Sequence, residues 1–399
     1  MASSAAERLV ARVFDLLLGR PPTSAETSHF LSIVEGPEGA LALVDAVAGC
    51  SEYQEGRLGH RSPGRHDLVE LLFEGFLGRH PSRQEAEHFA DLRRNGARPE
   101  DLAQRLHDSE EFQMRRGVKL YAPPGHFYSP IVNTAELTSV IPEIRPGVEV
   151  RLADVRIDLG AMEQFWHRLL PILRGTPFTV ERSADRRYYF DNPAFSFADS
   201  MMLRAMILHF RPRRIVEVGS GYSSACALDT TFDEAKLDCD IVFVEPYPEL
   251  LRQLMRVGDE RRVTIVPQPV QRVPIELFER LRAGDILFID STHVVKTGSD
   301  VVHELSKILP ILAPGVVVHF HDVFYPFEYG YEWAIAQNRS WNEIYALRAF
   351  LAFNSRFEVI FFNDMFGQLR RELVAQTAPD FLRNTGGSIW LQTRGATSL

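Results

Sequence analysis

The sequence predicts an α/β protein. A doubly wound, mostly parallel sheet occupies the second half, and an all-α repeat region precedes it. Three observations carry this reading. Short Val- and Ile-rich runs alternate with helical segments after residue 213, a self-similarity with a 59-residue offset marks the first 115 residues, and the composition is that of a globular chain. The 399 residues are 45% hydrophobic and 24% charged, which excludes disorder over most of the length. Such a length suits two or three domains.

The repeat comes first in the chain. Segment 16–30 (LLLGRPPTSAETSHF) aligns with segment 75–89 (GFLGRHPSRQEAEHF), placing Leu18-Gly19-Arg20 on Leu77-Gly78-Arg79 and His29-Phe30 on His88-Phe89. Each copy closes on a similar phrase, Ser51-Glu52-Tyr53 and Ser109-Glu110-Glu111-Phe112. A fixed offset signals repeated structural units. Val10, Val13, Phe14 and Leu17, then Leu68, Leu71, Leu72 and Phe76, have helical spacing. Gly19 and Gly78 are expected C-caps. Thr23 and Ser82 are expected N-caps, with Glu26 and Glu85 as capping-box partners. About three helices per unit follow, over 1–58 and 59–116. These phrases resemble DUF4214 repeats, a family that implies no specific chemistry. Their charges read as caps and solvated faces, and a protein partner is the role left for such a module.

Residues 117–200 are aromatic-rich, with GHFYSPI at 125–131 and YYFDNPAF at 188–195. They are expected to pack as a linker or lid extension on the domain at 201–399, with a helix over Met162–Leu173. The net charge of −9 argues against a nucleic-acid binder. Three cysteines, Cys50, Cys226 and Cys239, form neither a disulfide framework nor a zinc site and fit a reducing cytoplasm. No apolar run reaches the roughly 18 residues of a membrane span. The charged N-terminal stretch reads as an amphipathic helix, not a signal peptide.

The strands are expected at Arg214–Gly219, Ile241–Pro246, Val263–Gln268, Asp285–Asp290 and Val316–Asp322. Continuous apolar runs suit strands buried on both faces of a parallel sheet. Phe357–Phe362 and Ser388–Thr393 follow without a convincing crossover helix, although Gly367–Ala375 offers a partial one. A reversed final strand inserted by a long hairpin fits that gap.

The first strand runs into Glu217-Val218-Gly219-Ser220-Gly221-Tyr222-Ser223-Ser224. Glycines at a strand's carboxyl end let backbone approach a ligand. Glu217, two residues before the first glycine, and serine where dinucleotide binders need a third glycine, favour S-adenosylmethionine over NAD. Glu245 ends the second strand and suits ribose hydroxyls. Gln271, after the third, lies where an adenine edge is read.

These stretches resemble class I S-adenosylmethionine-dependent methyltransferases. The nearest group is the methyltransferase-24-like bacterial proteins, on EVGSGYSS, FVEPYP, DILFIDSTH, VHFHDVFYPFEYG and WNEIYALRAFL, over about residues 120–397. The resemblance implies a Rossmann-like seven-stranded sheet with an antiparallel last strand. It implies cofactor contacts at Gly219, Ser220, Gly221, Tyr222, Glu245, Gln271 and Asp290.

Asp290 ends the fourth strand, with His293 three residues on, and the fifth ends His319-Phe320-His321-Asp322. Carboxyl strand ends line the ligand crevice of such a sheet, so Asp290, His293, His321 and Asp322 are expected to converge there. Either His293 takes the acceptor's proton, or a divalent metal on Asp290, His321 and Asp322 lowers the acceptor's pKa. Metal-dependent O-methyltransferases of the catechol type carry their site at matching positions, and a histidine in the set suits a softer ion than magnesium. Trp341, Tyr345 and Leu347 read as the core face of a helix over Trp341–Phe353, with Asn342, Glu343 and Arg348 toward a polar acceptor. The sequence thus points to O-methylation of a small polar metabolite or glycan. An NAD-dependent oxidoreductase and a non-catalytic scaffold are the alternatives.

Overall fold

In a computed structural model of the chain, residues 152–395 are described without a break. Before them the description covers 20–34, 39–48, 79–97, 99–107, 124–140 and isolated neighbours. Gly19, Gly78, Cys50, Leu17, Leu68, Leu71, Phe76 and the Ser51–Tyr53 phrase lie outside the described residues. The chain divides into two compact units, Met1–Pro130 and Ile131–Leu399.

The first unit contains α1 (Ser24–Val34), α2 (Gly39–Ala48), α3 (Arg83–Arg94) and α4 (Pro99–His107). Val10, Val13, Phe14, Leu43, Val44 and Val47 share one core with their counterparts 59 residues on, Val69, Leu72, Phe73, Leu102, Ala103 and Leu106. Both capping boxes form. Glu26 N–H donates to Thr23 Oγ1 (3.2 Å) and Thr23 N–H to Glu26 Oε2 (2.6 Å), while Glu85 and Ser82 repeat the exchange at 3.3 and 2.7 Å. Arg20 pairs with Glu26 at 2.8 Å, as Arg79 does with Glu85. Each arginine also lies over a phenylalanine, Phe14 at 5.4 Å and Phe73 at 5.3 Å.

The second unit is built on seven strands: β1 (Arg214–Val218), β2 (Asp240–Val244), β3 (Val263–Val266), β4 (Ile286–Ile289), β5 (Val317–Phe320), β6 (Phe357–Phe362) and β7 (Ile389–Thr393). Their order is β3-β2-β1-β4-β5-β7-β6. The first five are parallel, and β7 is inserted antiparallel to both β5 and β6, the reversed strand expected from the sequence. Ile215, Val216, Ile241, Val242, Phe243, Ile286, Leu287, Val317 and Val318 are buried. Each such side chain contributes roughly 1.5–3 kcal/mol on burial.

The segment before β1 belongs to this same core. Helix α5 (Leu159–Leu173) starts at the Asp158 cap and buries Met162, Phe165, Trp166, Leu169 and Leu173 on one face. Ile157 bridges to Val359 of β6. Tyr188, Phe190, Phe195 and Phe197 are buried with the strands, and Phe197 opens α6 (Phe197–Phe210). Arg187 staples the segment down through Asp229 (2.7 Å) and Asp259 (2.6 Å). The buried aromatic residues here pack with the sheet. Between β6 and β7 lie two short α-helices, Asn363–Leu369 and Arg371–Thr377, and a 3-10 helix, Pro379–Arg383, where the sequence offered one partial helix. Among the described residues, no helix is long and apolar enough to cross a membrane.

Candidate active site

The sheet order reverses between β1 and β4, and a crevice outside the carboxyl ends follows from that reversal. Val218 and Ile289 are register partners, so Gly219 and Asp290 leave the sheet side by side. Gly219 has φ +81°, and a Cβ there would lie 1.8 Å from the Asp290 carbonyl oxygen. Its glycine is therefore required by the neighbouring chain, beyond any ligand. Gly221 is less constrained, its missing Cβ meeting only Leu250 Cδ2 at 3.4 Å.

Glu217 is placed beneath this loop. Its buried Oε1 accepts from Ser223 Oγ (2.6 Å) and Ser224 Oγ (2.9 Å), and burial pushes its carboxyl up to about 8. These serines, where a third glycine might stand, tie β1 to the start of α7 (Tyr222–Leu228). Ser224 Oγ also accepts from Gly221 N–H at 3.0 Å. Glu245 stays at the rim, accepting from the N–H groups of Ser220 (3.0 Å) and Tyr247 (2.8 Å). Gln271 Nε2 donates to Gly298 O at 3.0 Å, leaving Oε1 buried without a partner. That orphaned acceptor fits an amino group such as adenine's. Tyr222 stands edge-on to Tyr189 at 5.9 Å.

At the ends of β4 and β5, Asp290, His293 and Asp322 each turn one ligand atom inward, all within 4.8 Å of one another. His293 Nε2 lies 3.4 Å from Asp290 Oδ1 and 3.4 Å from Asp322 Oδ2. Behind it, Nδ1 meets Glu343 Oε2 at 2.8 Å. Glu343 opens helix α8 (Glu343–Leu351), whose first N–H groups reach the His293 carbonyl (3.1 Å from Glu343 N). His293 (φ +60°) and Asp322 (φ +57°) both adopt left-handed backbone, strain that the packing around a site must hold in place. Burial opposes charge on His293, yet Asp290 and Glu343 raise it well above its usual range. Burial likewise opposes ionisation of Asp290, yet His321 and His293 hold it below the usual carboxylate range. Two carboxylates and an imidazole whose far nitrogen is fixed by a third carboxylate fit a divalent cation.

His321 is not in that trio. Its Nε2 is 3.6 Å from Asp322 Oδ1, its Nδ1 has no partner, and its ring lies 5.2 Å from Phe195. Burial opposes its charge, but Asp322, Asp290 and Asp199 raise it to about 9. The sequence put His293 and His321 alike beside Asp290 and Asp322; the geometry brings the His293 ring nitrogen between the two aspartates. His319 is buried, stacked on Phe288 at 3.9 Å, with Nε2 2.8 Å from Ser388 Oγ. Ser388 Oγ donates to Asp199 (2.6 Å), which also accepts Gly387 N–H (3.1 Å). Gly387 in turn packs against Asp322, where a Cβ would come within 2.9 Å of the Asp322 Cα. Asp199 thus supports the turn beneath Asp322, a role invisible in sequence because the two lie far apart in the chain.

The outer helix gives Asn342, Glu343 and Arg348 partners of their own. Glu343 is buried on His293 and does not face outward. Asn342 accepts from Val295 N–H, and Arg348 pairs with Asp154 at 3.2 Å. Tyr345 is exposed and not core, while Leu347 is buried as expected.

Residues 216–323, from β1 to the end of β5, match a family model described as a methyltransferase domain. That stretch contains the donor-loop residues and the cluster at the ends of β4 and β5, but not Asn342, Glu343 or Arg348. An uncharacterized protein of Archaeoglobus fulgidus is 37% identical over 181 residues, 43% of this chain and 78% of that protein. Among solved structures, a methyltransferase of Podospora anserina bound to S-adenosylhomocysteine is 18% identical, covering 60% of this chain and 90% of its own, with a TM-score of 0.34. The O-methyltransferase TomG from Streptomyces achromogenes, solved with S-adenosylmethionine, is 15% identical over 66% of this chain and 96% of its own, with a TM-score of 0.32. Residues 216–323 thus belong to the methyltransferase-domain family, carried on the seven-stranded sheet of a Rossmann-like methyltransferase fold.

Proposed function

We propose that the chain methylates a hydroxyl oxygen of a small polar metabolite or glycan. One observation carries this: within a methyltransferase domain, Asp290, His293 and Asp322 face a common point at the strand ends. Gly219, Ser220, Gly221, Tyr222, Glu245 and Gln271 would hold the methyl donor. Bound there, S-adenosylmethionine supplies a sulfonium methyl, whose bond to sulfur breaks as the bond to oxygen forms while the acceptor loses a proton. Asp290, His293 and Asp322 would hold a divalent cation, which lowers the pKa of a hydroxyl that it binds. Glu343 would keep a proton on His293 Nδ1, leaving Nε2, 3.4 Å from an oxygen of each aspartate, as the nitrogen that gives up its proton where a cation binds.

The contact between His293 and Glu343 also favours a second reading, in which His293 is the general base and Glu343 orients it. Chelation separates the two. Loss of turnover on chelation, restored by manganese, supports the cation; turnover indifferent to chelator but lost in His293→Ala supports the base. The first unit, with its resemblance to DUF4214 repeats, is read as a docking module for a protein partner. Deleting residues 1–115 is expected to leave S-adenosylhomocysteine affinity unchanged, because the donor loops all follow residue 213.

A further inference from the structure

An aromatic wall adjoins the Asp290–His293–Asp322 cluster. Trp341 lies 4.4 Å from the His293 ring, and Phe324, two residues beyond Asp322, meets Trp333 edge-on at 5.1 Å. The two indoles stand at 77° with centroids 5.3 Å apart, forming a corner. Arg339 sits in that corner, its guanidinium carbon 3.9 Å from the Trp333 centroid and 4.5 Å from that of Trp341.

The backbone is bent to put it there. Asn338 (φ +45°) and Ser340 (φ +52°) are both left-handed, Arg339 N–H donates to Trp333 O at 3.0 Å, and Ser340 Oγ donates to Asn338 Oδ1 at 2.9 Å. Left-handed residues on both sides of one position cost energy and mark a loop shaped for that side chain. Arg339 Nε donates to the neutral Gln337 Oε1 at 2.7 Å, and among the described residues the guanidinium makes no ion pair. Arg187, Arg204, Arg348 and Arg370 of the same unit all have carboxylate partners. With Nε donating to Gln337, the terminal N–H groups of Arg339 are the donors left, and a guanidinium edge matches two oxygens of one oxyanion. A cation at this place also offsets the repulsion that Asp290, Asp322 and Glu343 exert on any negatively charged acceptor.

We propose that Arg339, cornered by Trp333 and Trp341 one indole away from His293, selects acceptors that carry an oxyanion, such as a carboxylate, beside the hydroxyl to be methylated. This rests on the methyl-transfer reading above and narrows its substrate class from polar to acidic acceptors. Arg339 acts on acceptor affinity and takes no part in the chemistry itself.

The test uses the full chain with S-adenosylhomocysteine and manganese, and two probe pairs: 3,4-dihydroxybenzoate against 3,4-dihydroxybenzamide, and glucuronate against glucose. Trp166 and Trp390 are buried in the core, so quenching of tryptophan fluorescence reports on Trp333 and Trp341. The wild type is expected to bind the acid of at least one pair about ten- to a hundredfold more tightly than its neutral partner. Arg339→Gln should erase that preference by weakening the acid alone, with S-adenosylhomocysteine affinity retained as a check on the fold. Arg339→Lys should keep part of it, since the charge remains but the fork is lost. No acid preference in the wild type for either pair, or a preference that survives Arg339→Gln, overturns the proposal. The two readings fail separately. Acid preference without turnover of the acid leaves Arg339 an oxyanion-binding residue but counts against methyl transfer, whereas turnover without acid preference removes the role of Arg339 alone.

Discussion

The two units use the same kinds of charged residue in opposite ways. In the first, the arginine at the matching place of each repeat is answered: Arg20 by Glu26, Arg79 by Glu85, with the helix cap and a phenylalanine face completing each set. Hydrogen bonds from Arg20 and Arg79 hold the Glu26 and Glu85 carboxyls down at about 2. At the strand ends of the second, Asp290 and Asp322 are brought toward each other with His293 between them on left-handed backbone. Satisfied pairs stabilise a fold. Carboxylates forced together by rigid strands are poised for something that is not part of the chain.

The largest way to break that contrast is at the convergence itself. Asp322→Asn keeps the shape and removes one charge. Turnover should fall by about 10²–10⁴ with the fold unchanged, as read by an activity assay beside circular dichroism. Unaltered turnover would demote the cluster to a structural role.

Next comes the close approach that aims Asp290. Gly219→Ala forces a side chain onto the Asp290 carbonyl and into a left-handed backbone. Roughly 2–4 kcal/mol of stability should be lost, against less than about 1 kcal/mol for Gly221→Ala, in denaturant unfolding. Equal effects would contradict the geometry given for the two glycines.

Glu343→Gln probes the support behind His293. Manganese affinity should fall about ten- to a hundredfold, because the imidazole loses the carboxylate that fixes its orientation. The smallest effect belongs to the first unit. The folded Glu85 value, near 2, lies below its ordinary value near 4.5, so its contribution is complete above about 4.5 and disappears as pH falls toward 2. Glu85→Gln should flatten that decline in unfolding experiments. Screening of this partly exposed pair keeps the difference within about 1 kcal/mol.

Much of this was legible in residues. Strand positions, the inserted antiparallel β7 and both capping boxes follow from apolar runs, turn residues and Thr/Ser–Glu spacing, all local signals. The approach of Gly219 to the strand end at Asp290 follows once the sheet order is known. The contact of Glu343 with His293 was missed because the two lie fifty residues apart and only the start of α8 brings them together. Asp199 was missed for the same reason, acting through Gly387 and Ser388 on a distant strand. His321 was placed with Asp290 and Asp322 because carboxyl strand ends line the crevice and the catechol-type site carries ligands at matching positions. Those positions do not reveal the left-handed turns that swing His293 Nε2 between the aspartates.

The most direct measurement is manganese binding to the protein saturated with S-adenosylhomocysteine, followed by electron paramagnetic resonance, for His293→Ala and His321→Ala side by side. The account predicts that His293→Ala loses manganese affinity by about tenfold or more, as removal of a direct ligand should, while His321→Ala keeps it. Loss in His321→Ala with full retention in His293→Ala would contradict it.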